Sequence, residues 1–157
     1  MEHDPAREIL IAGAGALAHG NGLGPTLQVV LESIAAPLGI ASAAIFVVDA
    51  NPARLELGAS VGLAGPALDG LVAAVANQEH PVARTVAAGI ASFDVLPTAP
   101  GGPALRSHLP LTIRRRDGDA IVGVLAVAHD QPIDLRARAL LQAGADLSAV
   151  AVERSRA

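Results

Sequence analysis

Residues 27–50, LQVVLESIAAPLGIASAAIFVVDA, place a helix pattern directly before a strand pattern. Apolar residues in the first half recur every three or four positions, as on one face of an amphipathic helix: Leu27, Val30, Leu31, Ile34, Ala35 and Leu38. Pro25 and Gly39 stand where helices commonly begin and end. The pattern predicts a helix over 25–38, followed by a strand over 41–49 that is apolar on both faces and therefore internal to a sheet.

Further strands follow from alternation and from turn residues. Residues 54–61 alternate apolar and polar side chains, which predicts an edge strand that forms a hairpin with 41–49. The segment LPLTIRRRDGDAIVGVLAVAHD, residues 109–130, holds two apolar runs around Asp117-Gly118, a strong hairpin signal. Its second run, 121–127, is apolar on both faces and predicts a central strand.

The segment between these two hairpins predicts shorter elements. Apolar spacing with prolines near the starts favours short helices over 66–77 and 81–88, and alternation favours a short strand over 90–95. Residues 96–107 are too rich in Pro and Gly for a regular element, so a loop is expected there.

Helical patterns also stand at both ends of the chain. Residues 5–18 are Ala-rich and predict a first helix, and Asp134 is placed to cap a final helix over 135–155. Strands in antiparallel pairs with helices gathered at the ends predict an α+β fold with a central antiparallel sheet. The terminal helices should cover one face, and the short helices with the Pro/Gly loop should cover the other.

No linker or internal repeat divides the chain, so a single domain is expected over 1–157. Within it we expect an N-terminal helix and linker over 1–23 and a core over 24–155. The final helix has no glycine at its end, which suggests that it continues into an output domain.

Composition excludes several classes of function. The chain of 157 residues has no Cys, Trp, Tyr or Lys and a net charge of −4. Without cysteine there are no disulfides, thiolate metal sites or cysteine nucleophiles. The acidic balance and the two aromatic residues argue against a nucleic-acid partner. Polar residues and glycines interrupt the uncharged stretch 9–31, and the N-terminus is acidic, so neither a membrane span nor a secretory signal is expected. We expect a cytoplasmic protein.

Four segments together resemble a GAF domain, a sensory module related to PAS domains. They are LQVVLESIAAPLGIASAAIFVVDA, HPVARTVAAGIASFDV, LPLTIRRRDGDAIVGVLAVAHD and DLRARALLQAGADLSAVAVERSRA. The resemblance covers about residues 24–155 and implies an antiparallel sheet of five or six strands with the order 2-1-5-4-3. It also implies a small ligand on the face opposite the terminal helices and dimers formed through those helices. Such domains are sensors or regulators rather than enzymes.

The resemblance also supplies candidate ligand-binding residues. Arg84 would lie on a pocket-side helix and Arg106 at the exit of the lid loop, where either could meet a carboxylate or a phosphate. Phe93 and Asp94 match a fragment of the signature of cyclic-nucleotide members, but that signature includes a Lys, which this chain lacks. His108 opens the fourth strand and is the best candidate for a haem or iron ligand, although a hydrogen-bonded strand-end histidine is the simpler interpretation.

The resemblance also restricts which cofactors are expected. The absence of cysteine excludes a covalently bound bilin and the reduction of free methionine sulfoxide, which depend on that residue in the members concerned. Neither a cyclic nucleotide nor haem is expected. The five histidines lack metal-ligand spacing, so no metal site is predicted either.

These observations lead to a hypothesis of function with two alternatives. We expect a regulatory module, not an enzyme, that binds an unidentified small molecule between the sheet and residues 66–107. Ordering of 95–107 by the ligand would bias the packing of the terminal helices in a homodimer. One alternative is a ligand-free dimerisation scaffold. A remote one is an NAD(P)-binding oxidoreductase using ILIAGAGALAHG, residues 9–20, although glycines and Pro25 interrupt the helix which that motif needs.

Overall fold

The structure is a computed structural model that describes residues 22–49, 54–95 and 105–156. The helix predicted over 5–18, the glycine run within 9–20 and most of the predicted loop lie outside these residues. In chain order the elements are α1 (Leu23–Leu38), β1 (Ser42–Val48), β2 (Leu55–Val61), α2 (Gly65–Ala74), α3 (Pro81–Ala88), β3 (Leu105–Arg115), β4 (Gly118–Ala128) and α4 (Leu135–Ser155).

The strands form one antiparallel sheet with the order β2-β1-β4-β3. The predicted positions of β1 and β4 in the centre and of β2 at an edge are confirmed. The expectation of at least five strands in the order 2-1-5-4-3 is wrong, because the described sheet has four. The strand predicted over 90–95 is reduced to one bridge, between Ser92 and His108 on the outer side of β3.

Two local features explain why the fifth strand does not form. Ser92 and His108 exchange both backbone hydrogen bonds, at 2.9 and 2.8 Å, so the next such pairs along the register would be Ile90 with Pro110 and Asp94 with Arg106. Pro110 has no N–H to donate. Asp94 has a φ of 57°, which takes the chain out of the extended conformation. Regular ladder pairing therefore does not extend beyond the bridge, although one more backbone hydrogen bond follows the turn at Asp94, from Val95 N to Arg106 O at 2.7 Å.

The β3–β4 hairpin is longer than predicted at its open end. β3 begins at Leu105, so three residues assigned to the predicted loop belong to the strand. At the closed end, the two turn residues are Arg116 and Asp117, and Gly118 pairs with Arg115 as the first residue of β4. Gly118 has a φ of 121°, a conformation that favours glycine at this position.

α1 and α4 pack together on one face of the sheet. The core there is closed by large apolar side chains from both helices and from the strands: Leu27, Leu31, Ile34, Ile45, Leu109, Leu111, Leu125, Leu141 and Val152. The helices cross at Gly144, where a Cβ would overlap Ile34 Cδ1, so the close approach needs a residue without a side chain. Asp134 caps α4 as predicted, since its carboxylate accepts from Ala137 N at 2.8 Å.

α2 and α3 cover the opposite face, as predicted for the two short helices. A second, smaller apolar cluster lies beneath them: Ala44, Phe46, Leu71, Val75, Val82, Leu105, Val124 and Ala126. At the sheet edge, the Gln28 side chain donates to Ser60 O at 2.9 Å and accepts from Ser60 N at 3.3 Å, which occupies part of the open edge of β2. Among the described helices, none is long and apolar enough to cross a membrane.

Candidate functional site

We call the sheet surface beneath the two short helices the α2/α3 face. It is lined by the smaller apolar cluster, and the largest side chain in it, Phe46, is fully buried. Among the described residues, no Asp, Glu or Arg is fully buried. The face is therefore an apolar surface without a buried formal charge.

His108 is the polar exception on this face. It pairs with Ala126 across β3 and β4, and directly opposed residues of antiparallel strands point to the same side of a sheet. Its exposed fraction is 0%, and neither ring nitrogen has a hydrogen-bond partner among the described residues. A buried polar group without a partner typically costs about 1–3 kcal/mol of stability.

Burial also sets the protonation state of His108. Desolvation, with smaller contributions from the charges of His80 and His129, lowers the pKa of His108 to about 4. The ring is therefore neutral at pH 7 and offers one N–H donor and one acceptor nitrogen. His80 begins α3 by accepting from Val82 N with its Nδ1 at 3.2 Å, and burial lowers its pKa as well.

A separate polar cluster joins the end of the described segment 54–95 to the start of α4. We call Asp94, Ser107, His129, Arg138 and the backbone of Ile133 the Asp94 network. The Asp94 carboxylate accepts from Ile133 N at 3.0 Å, and Asp94 N donates to Ser107 Oγ at 3.2 Å. Since Ile133 immediately precedes the cap of α4, Asp94 holds the beginning of that helix against β3.

The Ser107–His129 contact within the network has the geometry of a nucleophile and its base, but not the surroundings. Ser107 Oγ lies 2.7 Å from His129 Nε2, and His129 Nδ1 lies 2.8 Å from Gln131 O. Because a carbonyl oxygen only accepts, Nδ1 carries the proton in this contact, and in the neutral ring Nε2 accepts from the hydroxyl. Ser107 is fully buried, and the Asp94 carboxylate is 3.9 Å from Nδ1. The pair ties β3 to the loop after β4 and presents no nucleophile to solvent.

Arg138 reaches the network from the first turns of α4. Its guanidinium carbon lies 4.4 Å from the centre of the Phe93 ring, a cation–π geometry, and its Nη2 is 3.9 Å from Asp94 Oδ2. Arg106 lies beside the network and donates to the backbone oxygens of His129 and Asp130 at 3.4 and 3.0 Å. These contacts secure the loop between β4 and α4.

The five predicted site residues therefore separate into three places. His108 lies on the α2/α3 face, Arg84 is exposed on α3, and the other three, Phe93, Asp94 and Arg106, gather at or beside the Asp94 network. A role in ligand binding stays a prediction for all five. Sequence reasoning did not identify Ser107, His129 and Arg138, because the network joins residues from 13 positions apart (Asp94 and Ser107) to 44 positions apart (Asp94 and Arg138), and no local motif marks them.

An open cleft lies beside the Asp94 network and away from the α2/α3 face. It has a volume of about 810 Å³ and is bounded by the end of α1, the loop after β4 and the start of α4. Asp134 and His129 contribute to its wall, but the first is engaged as a helix cap and the second in the Asp94 network. Within the described residues, no group of three His, Asp or Glu side chains could hold a metal ion.

The fold is that of a GAF domain. The GAF domain from an Acinetobacter phosphoenolpyruvate-protein phosphotransferase superposes with a TM-score of 0.75 at 19% identity, covering 99% of this chain and 96% of that one. The GAF domain of a putative sensor histidine kinase from Pseudomonas syringae pv. tomato gives 0.65 at 19%, covering 96% and 87%. Free methionine-R-sulfoxide reductase from Neisseria meningitidis, in complex with its substrate, gives 0.66 at 20%, covering 99% and 95%.

The relationship is structural. A scan with models of known protein families found no match, and a comparison with curated protein sequences found none either. The antiparallel sheet also contains no parallel strand pair among its described strands, which a dinucleotide-binding unit of the Rossmann type would need.

Proposed function

We propose that this chain is a cytoplasmic sensory or regulatory module, without catalytic activity, in which a small molecule on the α2/α3 face alters the start of α4. The observation that carries the proposal is the Asp94 network, which connects the edge of the sheet to the helix that would pass the signal on. Two of the structural relatives are GAF domains of a phosphotransferase and of a putative sensor kinase, which supports a regulatory role by analogy of fold.

The described hydrogen bonds provide a continuous route from the face to the helix. The backbone of His108, whose side chain lies on the α2/α3 face, is bonded to Ser92 in both directions. Two residues later, Asp94 accepts from Ile133 N, directly before α4. A shift of β3 at His108 therefore has a path to the first turn of α4 through the Ser92–His108 bonds, the chain from Ser92 to Asp94 and the Asp94–Ile133 bond.

The outer side of α4 supports signalling through a dimer. Leu135 is 83% exposed and Val150 is 43% exposed, although both are large apolar residues on this helix. A second copy of the chain packed against them would bury this surface. Movement of the start of α4 would then change the geometry between the two copies.

The alternative of a ligand-free dimerisation scaffold rests on a specific observation as well. The α2/α3 face is filled by the protein's own side chains, and Phe46, Val124 and Ala126 are fully buried there. A scaffold would keep this face closed and use α4 only for dimer contacts.

The relative from Neisseria meningitidis is an enzyme, free methionine-R-sulfoxide reductase, but this chain has no cysteine with which to reduce a sulfoxide.

The route can be tested without knowing the ligand. Amide hydrogen exchange over the first turns of α4, including Ala137 N–H, is measured in His108→Leu, in Asp94→Ala and in the double variant. We expect His108→Leu to change exchange there in the native background and to have no further effect once Asp94 is removed. Equal effects of His108→Leu in both backgrounds would refute the route. Asp69→Ala, at an exposed acidic residue of α2, is the matched control and should leave α4 unchanged.

A further inference from the structure

The α2/α3 face combines an apolar lining with one neutral, unpaired hydrogen-bonding side chain. Both nitrogens of His108 are buried and without a partner among the described residues. The smaller apolar cluster on the same face consists of hydrocarbon side chains. A guest that formed a hydrogen bond to His108 would recover the free energy lost by burying that group unpaired.

The charges around the face restrict which guest fits. The nearby Arg106 donates through Nη1 to the backbone oxygens of His129 and Asp130, so its guanidinium is held toward the loop after β4, although its buried Nε has no partner among the described residues. Arg84 is exposed on α3. An anion entering beneath the short helices would lose its hydration without gaining a buried counter-charge. A cation would meet the same difficulty, since no Asp or Glu side chain among the described residues is fully buried.

The cover over the face is lightly attached, which gives a guest a way in. Of the residues in α2 only Leu71 is buried, and α3 buries only Val82 and Thr85. Gly62 and Gly89, each with a φ of 67°, stand before α2 and directly after α3. Short helices that bury few side chains open at a lower free energy than the rest of a domain.

We propose that the α2/α3 face takes an uncharged, compact and mostly apolar molecule whose single hydroxyl-type group hydrogen-bonds to His108. The inference rests on the proposed function, since it takes this face as the ligand site, and it goes further by naming the ligand class. A hydroxyl both donates and accepts, so it can pair with either nitrogen of a neutral imidazole. The apolar part of the ligand takes over the contacts that α2 and α3 make with the sheet before they move aside.

Three probes of similar shape test this class. Phenol has the apolar ring and the hydroxyl, toluene lacks the hydroxyl, and benzoate carries a charge. Binding to the full chain at about pH 7, where His108 is neutral, is measured by ligand-observed NMR titration. We expect phenol to bind about tenfold more tightly than toluene, the equivalent of one hydrogen bond, and benzoate to bind least.

Substitutions of His108 test whether the preference for phenol over toluene depends on this residue. His108→Leu should weaken phenol about tenfold while toluene keeps its affinity, and His108→Gln, whose amide also donates and accepts, should restore most of the preference. Asp69→Ala serves as the control and should leave the affinities for all three probes unchanged. If His108→Leu fails to fold, the comparison of the three probes on the native chain and on His108→Gln decides the question.

The outcomes separate this inference from the proposed function. Benzoate binding as tightly as phenol, no phenol binding, or a phenol preference that survives His108→Leu would each overturn the ligand class. The coupling of His108→Leu to Asp94→Ala in hydrogen exchange uses no ligand and judges the regulatory route by itself. If phenol is bound selectively but the two substitutions are not coupled, the ligand class is supported and the proposed route from His108 to α4 is refuted.

Discussion

Replacing His108 with leucine should stabilise the protein and remove part of its sensitivity to acid. In the folded state, burial lowers the pKa of His108 from its ordinary value of 6.5 to about 4. Between these values the unfolded chain takes up a proton that the folded chain does not, so folding stability falls as the pH falls from 6.5 to 4. Above 6.5 the ring is neutral in both states, and below 4 it is protonated in both.

The size of the effect follows from the two pKa values. Over the full interval, the titration of His108 lowers the free energy of unfolding by about 3 kcal/mol. About 2 kcal/mol of this is already lost at about pH 5. At neutral pH, leucine also removes a buried polar group that has no partner within residues 22–49, 54–95 and 105–156. Its removal should raise the free energy of unfolding by about 1–3 kcal/mol, reduced by any loss of packing. His108→Leu should therefore be the more stable protein at about pH 7.5, and its advantage should grow by about 2 kcal/mol at about pH 5.

Urea unfolding followed by far-ultraviolet circular dichroism measures both quantities, since the chain has no Trp or Tyr for a fluorescence signal. Other titrating groups are shared by the two proteins, so their contributions cancel in the difference. His80→Asn is the control: asparagine keeps a helix cap, and because His80 is only half-buried its removal should have the smaller effect. An advantage of His108→Leu that is the same at both pH values would show that His108 is not held neutral by burial, and the reasoning would fail.

Two further predictions concern α4. Gly144→Ala should lower the free energy of unfolding by about 1–2 kcal/mol in the same urea experiment, because the new methyl group overlaps Ile34 by more than the better helix propensity of alanine repays. Gly70→Ala, where a Cβ meets nothing within 4 Å, should instead be neutral or stabilising, and a similar loss at both positions would contradict the packing argument. Asp134→Ala should cost about 1 kcal/mol by removing the cap and should speed amide exchange at Ala137, and unchanged exchange there would contradict the capping role.

Most of the regular elements could be predicted from local sequence. α3 and α4 occupy the predicted ranges 81–88 and 135–155, and Asp134 caps the latter as expected. Helix periodicity, proline and glycine at helix ends, and strands apolar on both faces each act over a few residues, so they are visible without the tertiary structure. The GAF fold was indicated by the resemblance of four sequence segments, in their order along the chain, to such domains.

The missing fifth strand shows where local patterns fail. Residues 90–95 alternate as a strand should, yet pairing depends on what lies opposite them, and Pro110 of β3 removes the donor needed on one side of the bridge. On the other side Asp94 leaves the extended conformation, and its carboxylate binds Ile133 N, 39 residues away. Alternation predicts a strand but says nothing about its partner.

The sequence by itself determined the class of fold, the helices and central strands, and the absence of cysteine, lysine and most aromatic chemistry. Only the tertiary structure decided which polar side chains pair. It joins Asp94 to the start of α4 and leaves His108 buried beneath two short helices, with no hydrogen-bond partner in the part of the chain that the structure describes. The reason is physical: periodicity is fixed by neighbours along the chain, whereas hydrogen bonding and desolvation depend on groups brought together from distant positions.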